Sequence, residues 1–258
     1  MNLYVGTSGY SYKEWKGNFY PKSLQAKQML HYYGQHFRTV EINNTFYRMP
    51  NTDVLEAWAD AVPPDFNFSL KAARKITHIH RLKNVKDPLS YLLEVTSSLK
   101  NRLGPLLFQL PPSLKKDADR LRDFIALLPA ERRFVFEFRH PSWFDNEIVQ
   151  LLHDHGNALC VSDAGEDFDV PFVSPGEWGY LRLRQSEYSD ADLKKWIKLI
   201  RDQNWREAYV YFKHETDGPL IAGRFHELAM QESGCTSGIP TLIRCMTALR
   251  RTSRSRRR

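Results

Sequence analysis

Eight short strand-like segments recur along the chain, at residues 3–8 ("LYVGTS"), 39–43 ("TVEIN"), 67–72 ("NFSLKA"), 105–110 ("PLLFQL"), 134–139 ("FVFEFR"), 158–163 ("ALCVSD"), 179–184 ("GYLRLR") and 208–213 ("AYVYFK"). Helical patterns separate most of them. "SLQAKQMLHYYGQHF" (23–37) spaces Leu24, Met29, Leu30 and Tyr33 as one face of an amphipathic helix. "DVLEAWADAV", "PLSYLLEVTSSL", "DADRLRDFIALL", "SWFDNEIVQLLHDHG", "SDADLKKWIKLIRDQ" and "PLIAGRFHELAMQE" read alike, whereas "AGEDFDVPFVSPGEW" reads as an irregular connection. Strands joined through helices pair in parallel, because the crossover helix returns the chain to the same end of the sheet. Eight such units in about 230 residues predict an α/β fold, a TIM-like (β/α)8 barrel. It is expected as a single domain over residues 1–235, followed by a C-terminal segment over 236–258. An open doubly wound sheet is the alternative, but its glycine fingerprint is missing.

Strands covered on both faces should be apolar on both, and these are not. Val40 and Ile42 alternate with Glu41 and Asn43. Phe68 and Leu70 alternate with Asn67, Ser69 and Lys71, and Phe108 with Gln109. Phe134, Phe136 and Phe138 alternate with Val135, Glu137 and Arg139. Leu181 and Leu183 alternate with Tyr180, Arg182 and Arg184, and Val210 and Phe212 with Tyr209, Tyr211 and Lys213. In a barrel the apolar side faces the helices and the polar side faces the lumen. Buried charges have to pair. Glu41 and Glu137 stand against Lys71, Arg139, Arg182, Arg184 and Lys213, an excess of cations that an anionic ligand would complete. The alternative is a purely structural ion-pair network. Barrel sites lie at the C-terminal ends of the strands, where these charges converge.

The formal charge is +7, but the last nine residues, "RRTSRSRRR", hold six arginines and no acid. Without them the chain carries +1, so the basicity belongs to the tail. Such a tail is expected to be disordered and offers a possible contact with nucleic acid. No run of about 18 apolar residues and no signal-like start occurs, so no membrane contact is expected. Cys160, Cys235 and Cys245 have no C-x-x-C spacing. Reduced thiols in a cytoplasmic protein are the expectation. Nothing in the sequence speaks to oligomeric state.

Motifs in order along the chain carry a resemblance: "VGTSGYSYKEWKGNFYP" (5–21), "TVEINNTFYRMP" (39–50), "FSLKAARKITHIHRL" (68–82), "GPLLFQLPPSL" (104–114) and "FEFRHPSWF" (136–144). Together they resemble the YecE-like family, domain of unknown function 72, from about Tyr4 to Phe225. The resemblance implies a TIM-like barrel and leaves the reaction open. Two loops depart from the family pattern. Leu183-Arg184-Gln185 stands where Leu-His-Gly is expected, and Lys213 to Gly218 where an Asn-Asn-Asp run is expected.

The candidate site follows from these loops. Ser8, in a glycine-flanked first loop, and Asn43 and Tyr47, after the second strand, are ligand-binding candidates, as are Arg139, His140, Arg184 and Lys213. Trp143 is either a stacking platform for a sugar or base or a staple for the next helix. Glu41, Glu137 and Lys71 are the catalytic candidates. Opposite charges around the two carboxylates favour a base role over an acid role. No metal and no cofactor is expected: neither H-E-x-x-H nor a nucleotide-binding glycine motif occurs. The expected activity is that of an enzyme acting on a phosphate-bearing ligand, a sugar phosphate, nucleotide or nucleic acid, as an acid/base hydrolase, lyase or isomerase. A non-catalytic nucleic-acid-binding protein and a glycoside hydrolase are the alternatives.

Overall fold

All eight expected strands form in the computed structural model, which describes residues 1–163, 170–173 and 175–232. They are β1 (Asn2–Thr7), β2 (Thr39–Ile42), β3 (Asn67–Lys71), β4 (Leu103–Gln109), β5 (Phe134–Glu137), β6 (Ala158–Ser162), β7 (Trp178–Leu183) and β8 (Glu207–Phe212). Between and after them run α1 (Met29–Gly34), α2 (Thr52–Asp60), α3 (Lys86–Thr96), α4 (Ala118–Ile125), α5 (Asn146–Asp154), α6 (Asp190–Arg201) and α7 (Gly218–Glu232). Every strand pair is parallel, in the order β1-β8-β7-β6-β5-β4-β3-β2. No described helix is long and apolar enough to cross a membrane. The arginine-rich tail, Cys235 and Cys245 lie outside the described residues, as does part of the connection after β6.

The barrel closes where β1 meets β2. Ser8 bridges to Glu41, and the Gly9 amide donates to the Glu41 carbonyl at 2.7 Å. Nearer the strand starts the two backbones crowd together, and a Cβ on Gly6 would stand 2.2 Å from the Thr39 carbonyl oxygen. The Tyr33 hydroxyl of α1 enters this seam. It accepts from the Thr7 amide at 2.9 Å and donates to the Thr39 carbonyl at 3.1 Å. A buried phenol thus satisfies backbone groups for which the ladder has no partner.

Local chemistry sets the remaining details. Asn51, Asp117, Asp145 and Ser189 cap the starts of α2, α4, α5 and α6 with their side chains. The first helix is shorter than the amphipathic pattern predicts: Ala26–Gln28 form a 3₁₀ turn, and the α-helix starts only at Met29. In β4, Pro105 has no amide to give to β3, and the register shifts between Phe68 and Leu70.

Two apolar layers follow from the alternation. Val40, Ile42, Phe68, Leu70, Phe108, Phe136, Leu181 and Phe212 pack outward under the helices. Leu107, Val135, Cys160, Tyr180, Tyr209 and Tyr211 fill the lumen. Tyr209 stacks on Tyr4 at the bottom, with ring centroids 4.7 Å apart. One level up, the Tyr211 hydroxyl is 2.6 Å from Thr39 Oγ1 and 2.7 Å from Ser69 Oγ. The lower lumen is therefore plugged by these side chains.

Candidate functional site

At the top of this plug, β2, β5 and β7 each present a charged side chain, and Arg182 is the hub. It is 3% exposed, while Glu41 and Glu137 are 0% and 1% exposed. Its Nε and Nη2 donate to Glu41 Oε1 at 3.2 and 3.0 Å, and its Nη1 donates to Glu137 Oε2 at 2.6 Å. Glu41 also accepts from Ser8 Oγ at 2.5 Å, Asn43 Nδ2 at 3.1 Å and the Tyr180 hydroxyl at 2.7 Å. On Glu137, Arg139 Nε and Nη2 converge on Oε1 at 2.8 and 2.7 Å. Burial by itself would push both carboxyls up. The Arg182 guanidinium, aided by Ser8 and Tyr180 at Glu41 and by Arg139 and Arg184 at Glu137, outweighs it and holds both below their ordinary values.

Lys71 ends β3 beside this network and is linked to it through Gln109, whose side chain also hydrogen-bonds Glu137. Its Nζ donates to Gln109 Oε1 at 2.7 Å and lies 4.3 Å from the centre of the Phe46 ring. Burial, then the nearby Arg182 charge, lowers the ammonium from its usual range to about 8. Arg184 donates through Nε and Nη2 to Ser162 Oγ at 3.2 and 2.7 Å, and its amide donates to Asp163 Oδ1 at 2.6 Å. The Asp163 carboxyl is raised, chiefly by burial, and accepts from the Tyr188 hydroxyl at 2.5 Å. Among the described residues, Lys71, Arg139, Arg182 and Arg184 thus gather at the strand ends with Glu41, Glu137 and Asp163.

The structure therefore gathers Ser8, Glu41, Asn43, Lys71, Glu137, Arg139 and Arg184, as the alternation predicts. Tyr47, 76% exposed, packs edge-on against Phe46. Lys213 is exposed, and its amide extends the β8 ladder to Leu183. One candidate is corrected, and a second is placed in a cap. Trp143 is 0% exposed, its ring stacks on Phe138 at 4.6 Å, and its indole N–H donates to the Leu114 carbonyl at 2.7 Å. It has no face for a ligand and packs into the core between Phe138 and the Leu114 carbonyl. His140 caps the 3₁₀ turn Pro141–Trp143, its Nδ1 accepting from the Ser142 amide at 3.1 Å. Tyr180 and Gln109, which the alternation puts on the lumen side, and Phe46 also touch this group, although none of the three is among the sequence candidates. Tyr180 lies two residues before Arg182 on the same strand face, which was the available signal. Phe46 carries none, because its turn alone decides that it faces Lys71. Among the described residues, no group of three or more His, Cys, Asp or Glu is placed to hold a metal ion.

The half-buried, poorly paired ammonium has a consequence for stability. The unfolded chain holds the Lys71 proton up to about pH 10.4, while the folded barrel releases it near 8. Between those values the unfolded state binds more protons, so stability rises with pH. Below pH 8 the cost is present in full. Lys71→Met is therefore expected to stabilise the protein at pH 7 by ~1–2 kcal/mol, after discounting for partial exposure and the lost Gln109 bond. The gain over wild type should vanish near pH 10, as urea unfolding at several pH values would show.

Fold and site define a class: a (β/α)8 barrel whose lumen is plugged by tyrosines and topped by a buried carboxylate–guanidinium network. The comparisons place the chain within it. Residues 4–242 match the family model described as "Protein of unknown function DUF72", and the chain belongs to that family. It is 29% identical to the UPF0759 protein YecE of Escherichia coli strain K12 over 168 residues, 63% of this chain and 59% of that one. It is 24% identical to the UPF0759 protein YunF of Bacillus subtilis strain 168 over 224 residues, 81% of this chain and 78% of that one. The match to YecE thus spans less than two thirds of that relative's length. The crystal structure of a DUF72 family protein from Thermotoga maritima superimposes with a TM-score of 0.69 at 27% identity, covering 90% of this chain and 97% of that one.

Proposed function

We propose that the barrel mouth binds a small phosphate- or carboxylate-bearing ligand and that the protein is an enzyme in which Lys71 exchanges protons with it. The observation that carries this reading is the convergence of Lys71, Arg139, Arg182 and Arg184 at the strand ends, where three carboxylates stand with them among the described residues. Guanidinium groups match a phosphate or carboxylate in both charge and donor geometry. Arg139 and Arg184, 20% and 15% exposed in their side chains, are the groups of the network nearest to solvent. Glu41 and Glu137 act as positioning residues: held ionised by guanidinia, they fix Arg182 and Arg139. Lys71, whose ammonium loses its proton near 8, can exchange a proton close to neutral pH, where general catalysts work best. The glycosidase alternative is less well supported, since the Arg182 guanidinium bridges the two carboxylates that would flank a glycosidic bond.

Stabilisation by phosphate tests this. Binding to the folded state adds RT ln(1 + [L]/Kd), about 2.7 kcal/mol at a hundredfold excess over Kd. At a few millimolar, where salting-out is negligible, inorganic phosphate should raise the melting temperature of the wild type. An Arg139→Gln, Arg184→Gln double variant should gain much less. Equal gains in both proteins would remove the anion site from the mouth.

A further inference from the structure

We infer that Lys71 is a nucleophilic amine that forms an imine with the carbonyl carbon of the ligand, which makes the ligand an aldehyde or ketone carrying an anionic group. The choice of ligand class rests on the anion reading above. The imine itself rests on how Lys71 is held.

Two buried carboxylates end the neighbouring region of the barrel, and a structural lysine would take one of them. This one does not. Glu41 and Glu137 are committed to arginines, and among the described residues Nζ has only the neutral Gln109 oxygen and the Phe46 ring face as partners. An ammonium carries three donors, and one neutral acceptor leaves it weakly stabilised. The charged groups that act on it come from every side: Arg182 on β7, Glu137 and Arg139 at the end of β5, and Glu41 on β2. His78, which follows β3, packs edge-on against the same Phe46 ring. Desolvation and adjacent guanidinia are the arrangement that leaves a lysine neutral and reactive near neutral pH. The residue is only partly buried, so a small carbonyl compound can reach it.

In the step, the Nζ lone pair attacks the carbonyl carbon and the C=O π pair moves to oxygen. One Nζ proton passes to that oxygen and gives a carbinolamine. A proton taken from solvent then converts the hydroxyl to water, which leaves as the nitrogen lone pair forms the C=N bond. The product is a protonated imine beside Glu137 and Glu41. Nothing is oxidised or reduced.

Reductive trapping tests the inference. The full chain is incubated at pH 7.5 with glyceraldehyde 3-phosphate or with unphosphorylated glyceraldehyde, in the presence of cyanoborohydride, and the labelled peptides are mapped by mass spectrometry. At that pH an amine titrating near 8 has roughly two hundredfold more neutral form than one at 10.4. Lower basicity and partial burial take back part of this. Lys71 is expected to be labelled at least about tenfold faster than exposed lysines such as Lys194, and Lys71→Met should lose the fast phase alone. Labelling of Lys71 no faster than Lys194 by either aldehyde would overturn the imine, whatever phosphate does to stability. In the Arg139→Gln, Arg184→Gln variant, labelling of Lys71 by glyceraldehyde should slow with the loss of the Arg139 charge but stay faster than that of Lys194, while the phosphorylated sugar loses its advantage. Equally fast labelling of wild-type Lys71 by both aldehydes would uphold the reactive amine and overturn the anion site instead.

Discussion

Replacing Arg182 by leucine should cost the barrel ~3–5 kcal/mol, although the change adds apolar bulk to a buried position. The guanidinium bridges Glu41 and Glu137. Without it Glu41 keeps only the neutral donors Ser8, Asn43 and Tyr180. A fully buried carboxylate with neutral partners protonates or admits water, and either response lowers stability. Urea unfolding at pH 7 measures the loss. A second variant, Arg182→Leu with Glu41→Gln, should recover part of it, because the orphaned charge is gone. No recovery would mean that Arg182 acts through packing alone.

Glu137→Leu fails for the opposite reason. Here a carboxylate is lost and three guanidinia, those of Arg139, Arg182 and Arg184, are left facing one another at the end of β5. The expected loss is again ~3–5 kcal/mol. Unlike the loss in Arg182→Leu, it should shrink when millimolar phosphate is added, since an external anion can take the place of the missing carboxylate. A Glu137→Leu protein as stable as wild type in urea would show that the network contributes nothing to the fold.

Much of this was legible in the sequence because period-two alternation is a strong local signal. Phe134, Phe136 and Phe138 on one side of Glu137 and Arg139 give the lumen face of β5 directly, and the same reading holds for β2, β3, β7 and β8. What local pattern cannot give is direction after a strand has ended. Trp143 lies in a turn, and its burial depends on Phe138 and on the Leu114 carbonyl 29 residues upstream. His140 reads as a ligand-binding candidate, and only the 3₁₀ turn opened by Pro141 shows that its Nδ1 caps that turn. The pairing of charges was equally out of reach. The composition of the lumen allowed Lys71 to pair with either glutamate, and only the depth of Arg182 shows that both were taken. The late start of α1 follows from Gln25 and Gln28, whose side chains close a 3₁₀ turn that amphipathic spacing alone does not register.

Isothermal titration of glycerol 3-phosphate into the wild type and into the Arg139→Gln, Arg184→Gln variant measures the mouth itself, with no carbonyl to complicate the binding. The expected result is one saturable site per chain in the wild type, weakened at least tenfold in the variant, about 1.4 kcal/mol. Saturable binding of equal strength in both proteins, or no binding in either, would contradict an anion site at the end of this barrel.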